Sequence, residues 1–485
     1  MSSTLPTSHI RPRRGAGLAL TAVLLAPAVA LAAPPEYRAA PCHGDYAGIA
    51  QTVTCGTLVV DETRGSNNGR RVALPVAVVK ALKPRAGAVP VIYLHGGPGG
   101  AVIDDLPDAL RTARGMELYG QDQDWIFFDQ RGSVLSAPAL DCGSSLPLND
   151  AGPLSEVAAS GLIACGARHA AAGVDLSAYN ALEVARDVQD LRTALGLERF
   201  DLFGVSYGTR VAFSVLRAHA AGVRAVVLDS VWPPEATWAE GGPKVLADAA
   251  HLILARCAAT RACRARFPHA ATELAAFATR LLAGPVSGKE RTYTADDLGG
   301  FLMDRLYDGD GARLLPRDAH AFSRGDYSAL DAQIADRSQY VEAQHLAFLC
   351  KEEFPFERRD HVADGIGSDP IGLVSVKGFQ RYFDVCASFR VGAPDPAEGQ
   401  PVASDVPTLF LSAQFDPGCP PPLAEAAARR FARSQFVLLP NTTHGVHRVS
   451  PCGRQMIRAF LEDPTHPVDR ACLSATPDRF DFALK

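Results

Sequence analysis

The chain reads as an α/β protein with a mostly parallel central sheet and a helical insertion, and three observations predict it. First, short apolar runs without polar alternation recur at residues 89–94, 125–128, 200–203, 224–228, 407–411 and 436–439. Most are bounded by Gly, Pro or another turn-forming residue, as expected of strands buried on both faces of a parallel sheet. Second, helical patterns lie between them. Val184, Val188, Leu191 and Leu195 recur at helical spacing, with Glu183, Arg186 and Asp190 on other faces and Gly196 as a stop. Residues 211–218 read as another helix, and such alternation implies right-handed crossovers in a parallel sheet. Third, the rhythm breaks after Trp232. Residues 236–390 are Ala- and Arg-rich and helical in pattern, with turns expected at Gly284-Pro285 and at 309–311, before strand-like runs return at 407. The expected organisation is a leader over 1–32, a first core segment over 33–235, a helical cap insertion over 236–395 and a second core segment over 396–485.

The 485 residues exceed one average domain, and 47% hydrophobic with 21% charged residues is an ordinary globular balance. That balance excludes disordered, collagen-like and coiled-coil chains. The net charge is −5 with Lys and Arg scattered, so no nucleic-acid footprint is expected. Arg11, Arg13 and Arg14 precede an apolar run over 18–32 that ends in Ala30-Leu31-Ala32. This is the pattern of a signal peptide cleaved after Ala32, and it implies export to periplasm or medium. The alternative is an uncleaved anchor, for which the run is short of the ~20 residues a bilayer needs. No later stretch is long enough, so no membrane span is expected after cleavage.

Export makes disulfides the default for the 11 cysteines. Proximity suggests Cys42–Cys55, Cys142–Cys165, Cys257–Cys263, Cys350–Cys386 and Cys452–Cys472, leaving Cys419 single, although spacing alone leaves the connectivity open. Each closed loop would contribute roughly 2–4 kcal/mol. A zinc site would want tight Cys-x-x-Cys or Cys/His clusters, and the sequence has none.

Gly204-Val205-Ser206-Tyr207-Gly208 lies between an expected strand and an expected helix. Such a turn is crowded, so Gly on both sides lets the backbone close while Ser206 projects. The helix that follows aims its first amides at developing negative charge. A serine hydroxyl needs a base, and the base and its orienting acid are expected in loops after later strands, in the order Ser, acid, His. Asp416 and His444 meet that requirement. His447 is the rival base, or half of a metal pair with His444, and reads instead as a surface or supporting histidine. Asp405 precedes its strand and Asp463 lies well beyond the histidine. His95-Gly96-Gly97-Pro98-Gly99-Gly100 follows a strand, and the Gly97 amide with that of Tyr207 would form an oxyanion hole. Phosphate cradling is the other use of such a loop, but the Gly-Lys-Ser/Thr ending is absent.

His95 to Gly100, Asp129-Gln130-Arg131-Gly132, Gly204 to Thr209, Asp416-Pro417 and His444-Gly445 together resemble the α/β-hydrolase serine aminopeptidases. These comprise the proline iminopeptidases and the secreted tripeptidyl-aminopeptidase-like proteins. The resemblance covers most of the mature chain and extends to Cys452 and Cys472. It departs at Cys419, where relatives commonly carry a small hydroxyl residue. The resemblance implies an α/β-hydrolase fold and cap carboxylates that bind a peptide's free N-terminal ammonium. Glu352 and Glu353 are candidates for that role; the plainer reading is a solvated pair beside Lys351. Asp129 and Arg131 read as a structural pair supporting the oxyanion loop.

The expected function is an exported serine peptidase that releases N-terminal residues through an acyl-enzyme, with no cofactor and with a free-amine peptide as its partner. An exported carboxylic ester hydrolase with the same triad is the alternative. A catalytically silent peptide-binding protein that kept the fold is a further one. The oligomeric state is left open.

Overall fold

The computed structural model describes residues 34–66, 68–143, 152–289, 291–335, 341–475 and 480–484, besides 1–2 and 4–5. Nearly all of the expected leader lies outside the described residues. Eleven strands are described: β1 (Glu36–Ala39), β2 (Val53–Asp61), β3 (Arg71–Val79), β4 (Val91–Leu94), β5 (Trp125–Phe128), β6 (Phe200–Val205), β7 (Val223–Asp229), β8 (Val286–Ser287), β9 (Thr292–Tyr293), β10 (Thr408–Ala413) and β11 (Ser434–Leu439). Nine form one sheet in the order β1-β2-β3-β5-β4-β6-β7-β10-β11. From β5 to β11 every neighbour is parallel, whereas β1, β2 and β3 pair antiparallel, as do β3 and β5. This is a mostly parallel α/β-hydrolase sheet.

The three antiparallel strands are additions to what the sequence predicts. β1 is largely exposed and β2 alternates buried with half-exposed residues, so neither has the continuous apolar run of a two-sided strand; β3 has such a run, interrupted by Pro75. The six predicted strands all form. Their side chains feed two cores. Leu202 of β6 joins the layer built by helices Ala181–Ala194 and Tyr207–Ala218, while Phe203 joins the layer of helices Leu106–Arg111 and Pro451–Glu462.

Between β7 and β10 the chain is helical, with long helices at Gly242–Ala259, Ala270–Ala283, Ala295–Tyr307, Glu342–Glu352 and Pro370–Ser388, and one small hairpin of β8 and β9. The turn expected at 309–311 is a short helix, Gly309–Ala312, because the Asp308 carboxylate accepts the amides of Asp310 and Gly311. All five suggested disulfides form, and Cys419 is a buried free thiol. No helix among the described residues is long and apolar enough to cross a membrane.

One buried ionic knot fastens helix Ala181–Ala194 to the sheet. Arg131 donates to both oxygens of Asp187, at 2.8 and 2.7 Å, and to the carbonyls of Glu62 and Ala178. Arg64 adds a second guanidinium to Asp187 at 2.5 Å. Burial works to raise the Asp187 pKa, but the two arginines overcome it and leave the group below its usual range. Asp187→Asn leaves Arg131 buried without its bidentate partner. Urea unfolding should show a loss of about 3–5 kcal/mol, the usual cost of breaking a buried pair from one side.

Candidate active site

Ser206 stands between β6 and helix Tyr207–Ala218 at φ 56°, ψ −126°. A non-glycine residue held there stores about 1–3 kcal/mol of strain and persists only where its surroundings enforce it. Here the Ser206 amide donates to the Asp229 carbonyl at 2.9 Å, and its own carbonyl accepts the Thr209 amide at 2.9 Å. The flanking glycines are required by space. A Cβ on Gly204 would lie 2.6 Å from the Gly208 carbonyl oxygen, and one on Gly208 would lie 2.0 Å from that of Leu94. The turn is thereby pressed against the end of β4.

Asp416 follows β10 and His444 follows β11. His444 Nδ1 lies 2.9 and 3.0 Å from the two Asp416 oxygens, with both residues buried. One of those oxygens also accepts the amides of Gly418 at 3.0 Å and Cys419 at 2.8 Å, which fixes the carboxylate plane. A ring that donates through Nδ1 presents the Nε2 lone pair as base. The Tyr307 ring, from the end of cap helix Ala295–Tyr307, packs edge-on to His444 at 4.4 Å. Gly418 makes room for it, since a Cβ there would fall 1.9 Å from the tyrosine oxygen.

Cys419 completes the cluster. Its thiol lies against the Ser206 side chain, and burial pushes its pKa well above the usual range, so it is a neutral thiol rather than a ready nucleophile. The sulfur, a His444 ring nitrogen and an Asp416 oxygen all lie within 4.8 Å of one another. Among the described contacts no hydrogen bond joins the Ser206 hydroxyl directly to His444. Catalytic bonds of this kind are often long in the free enzyme and tighten in the substrate complex.

The loop over 95–103 lies on the nucleophile: a Cβ on Gly96 would come 2.9 Å from Ser206 Cβ. Gly97 sits at φ +117°, and Tyr207 is the first residue of the elbow helix. The loop is tied at four places. Gln130 Nε2 donates to the His95 carbonyl, His345 Nδ1 to that of Pro98, and the Val341 amide to that of Gly99, at 2.9, 2.9 and 3.0 Å. Asp129 accepts the amides of Val102 and Ile103 at 2.8 and 3.1 Å. Burial lowers the His345 pKa to about 4, which keeps it neutral at neutral pH. Asp129 thus supports the loop, but Arg131 is not its partner. That arginine belongs to the Asp187 knot, because Asp187 supplies the bidentate carboxylate.

Glu352 and Glu353 require a correction. Neither is open to a ligand, and neither is solvated. Glu352 accepts the Ala181 amide at 3.0 Å and the Tyr207 hydroxyl. Glu353 pairs with Arg210 Nη1 at 2.7 Å and accepts from Trp232 Nε1 at 2.8 Å. The physical reason is Arg210 on the elbow helix, which the motif reading did not weigh. Lys351 turns away to the carbonyls of Val391 and Ala393. His447 is no surface residue either. It is buried with Nδ1 2.6 Å from Asp229, and packs against Phe203 and Tyr93. Asp229 went unnoticed in the sequence because a lone Asp closing a strand carries no motif.

An α/β sheet that delivers an elbow serine and a paired His–Asp to one edge defines a serine hydrolase. Residues 375–472 match the TAP-like protein family model. The serine protease Hip1 of Mycobacterium bovis is 25% identical over 457 residues, which cover 85% of this chain and 86% of that protein. A proline iminopeptidase of Xylella fastidiosa is 26% identical over 170 residues, 33% of this chain, and the match spans 39% of that relative's length. Among solved structures, the proline iminopeptidase of Mycobacterium smegmatis is 16% identical, with 81% of this chain and 96% of that one covered and a TM-score of 0.36. A thermophilic esterase from Thermogutta terrifontis is 17% identical, with 83% and 97% covered and the same TM-score of 0.36. These likenesses support the resemblance that the motifs carry, to the α/β-hydrolase serine aminopeptidases and their TAP-like relatives.

Behind Tyr207 the acids outnumber their cation. Glu352, Glu353 and Glu398 surround Arg210, and neither Glu398 oxygen accepts a hydrogen bond from the described residues. Burial, then the Glu352 charge, pushes Glu398 up to about 8; burial, then the Glu357 and Glu352 charges, drives Glu353 to about 8 as well. A folded-state pKa above the unfolded value means that folding takes up protons. Stability from these groups is full below about 4.5 and is lost as pH rises toward 8. Glu398→Gln should therefore stabilise the protein at pH 8 relative to pH 5, by at least about 1 kcal/mol, in paired urea titrations.

Proposed function

We propose that this serine hydrolase is an exported peptidase that releases N-terminal residues from peptides through an acyl-enzyme at Ser206. The observation that carries the reading is the buried His444–Asp416 pair beside an elbow serine under strain. Ser206 Oγ attacks the scissile carbonyl as His444 Nε2 takes its proton, and Asp416 holds the ring in the required tautomer. The amides of Gly97 and Tyr207 face the developing oxyanion, each such donor being worth about 3–4 kcal/mol. His444 then protonates the leaving amine, and water releases the acyl group by the same relay. The names of the iminopeptidase and Hip1 relatives support peptide as the substrate class. The disulfides and the leader pattern support export.

Burial of Glu352 and Glu353 favours a second reading, an exported carboxylic ester hydrolase with the same relay, because it withdraws the proposed ammonium seat. One comparison separates the two. An aminoacyl anilide with a free amine, its N-acetylated form and a simple acyl ester are assayed side by side. The peptidase reading expects the free amine to win by about tenfold or more in kcat/KM. Equal turnover of the acetylated form, or a preference for the ester, refutes it. Ser206→Ala should lose about 10^6 in kcat under either reading, the size of loss seen for a serine protease.

A further inference from the structure

We infer that Asp416, Cys419 and His444 form a binding site for a divalent cation of the zinc class, and that occupancy switches the hydrolase off. The donor set is one sulfur, one imidazole nitrogen and one carboxylate oxygen, all buried. Zinc binds this combination and leaves a fourth position for water. The three atoms lie within 4.8 Å of one another, so each needs to move less than about 1 Å to reach a bonding distance of about 2.0–2.3 Å. Two further features support the site. The Asp416 plane is already fixed by the Gly418 and Cys419 amides, and the Tyr307 ring confines His444 from the cap side. The Asp229 carboxylate also acts on the Cys419 sulfur, adding negative charge beside the cation.

The chemistry balances without an oxidant or reductant. Cys419 releases its proton to solvent as the sulfur–metal bond forms. An imidazole bound through Nε2 spends the lone pair that would take the Ser206 proton. Bound through Nδ1, it breaks the bond to Asp416 and moves its ring proton to Nε2. Either way the base is disabled, a step that rests on the relay proposed above. The metal is an inhibitor here and takes no part in turnover.

All other cysteines are in disulfides, so a cobalt–thiolate signal in the intact, non-reduced protein can come only from Cys419. The test is a Co2+ titration read by absorption, with a parallel Zn2+ inhibition curve on an ester or anilide substrate. We expect a thiolate-to-cobalt charge-transfer band that saturates at one metal per chain and is displaced by Zn2+. Inhibition should be reversed by EDTA. Cys419→Ser and Cys419→Ala should lose the band. Each should also need at least about tenfold more Zn2+ for half-inhibition of its own rate. Two variants guard against one failing to fold, which thermal melting would report. No band, or equal zinc sensitivity in a folded variant, overturns the site. A cobalt band without loss of rate keeps the metal site and overturns His444 as the base.

Discussion

The site depends on how strand β7 ends. The Asp229 carbonyl accepts the amide of Ser206, while its carboxylate accepts the amides of Val446 and His447 at 2.8 Å each and pairs with the His447 ring. Ser230 follows at φ 54°; its hydroxyl accepts the Gly445 amide at 2.9 Å, and its own amide donates to Leu411 of β10. Two residues thus anchor the nucleophile turn, the histidine loop and the strand that leads to the acid. Parallel strands make this possible because their carboxyl ends share one sheet edge. A loop of three consecutive anchored amides has little freedom left, so the position of His444 is set by β7 as much as by its own strand. Asp229 is buried, where burial alone would favour its neutral form. His447 and the backbone amides reverse that and hold it below the usual carboxylate range.

The cap contributes more than a roof. Helix Glu342–Glu352 begins beside Val341, which bonds the oxyanion loop, carries His345 to the same loop one turn later, and ends at Glu352 under Tyr207. One helix therefore touches both proposed sources of oxyanion amides. Cys350–Cys386 fastens it to helix Pro370–Ser388. Displacement of this helix would disturb the loop directly, since Val341 and His345 both bond to it. Buried carboxylates around Arg210 meet at this junction at an electrostatic cost, since Glu353 and Glu398 are both pushed up to about 8.

Much of this is legible in the amino-acid sequence. Strands buried on both faces announce themselves as unbroken apolar runs, so β4, β5, β6, β7, β10 and β11 were readable, and Ser206, Asp416 and His444 were readable from their places after three of them. The exposed faces of the antiparallel strands β1 and β2 break the apolar run, whereas β3 carries one over 72–79 with a proline, Pro75, at its centre that argues against a strand. The paired glutamates misled for a different reason. Sequence shows charges in a row but not the guanidinium that meets them, and Arg210 lies more than a hundred positions away. Separation along the chain also hid the Asp229–His447 pair, 218 positions apart, and gave Arg131 to the wrong acid, its partner Asp187 lying 56 positions on. Long-range charge pairing is a property of the fold, and a motif reports only its local half.

Hydrolysis at this site requires that the serine of the elbow be activated by His444. The most direct measurement is covalent labelling of the intact protein with a fluorophosphonate, followed by peptide mass mapping, in the native chain and in His444→Ala. A single adduct on Ser206, formed rapidly in the native chain and slowed by orders of magnitude in the variant, is the predicted result. An unlabelled folded protein, an adduct on another residue, or labelling indifferent to His444 would contradict it.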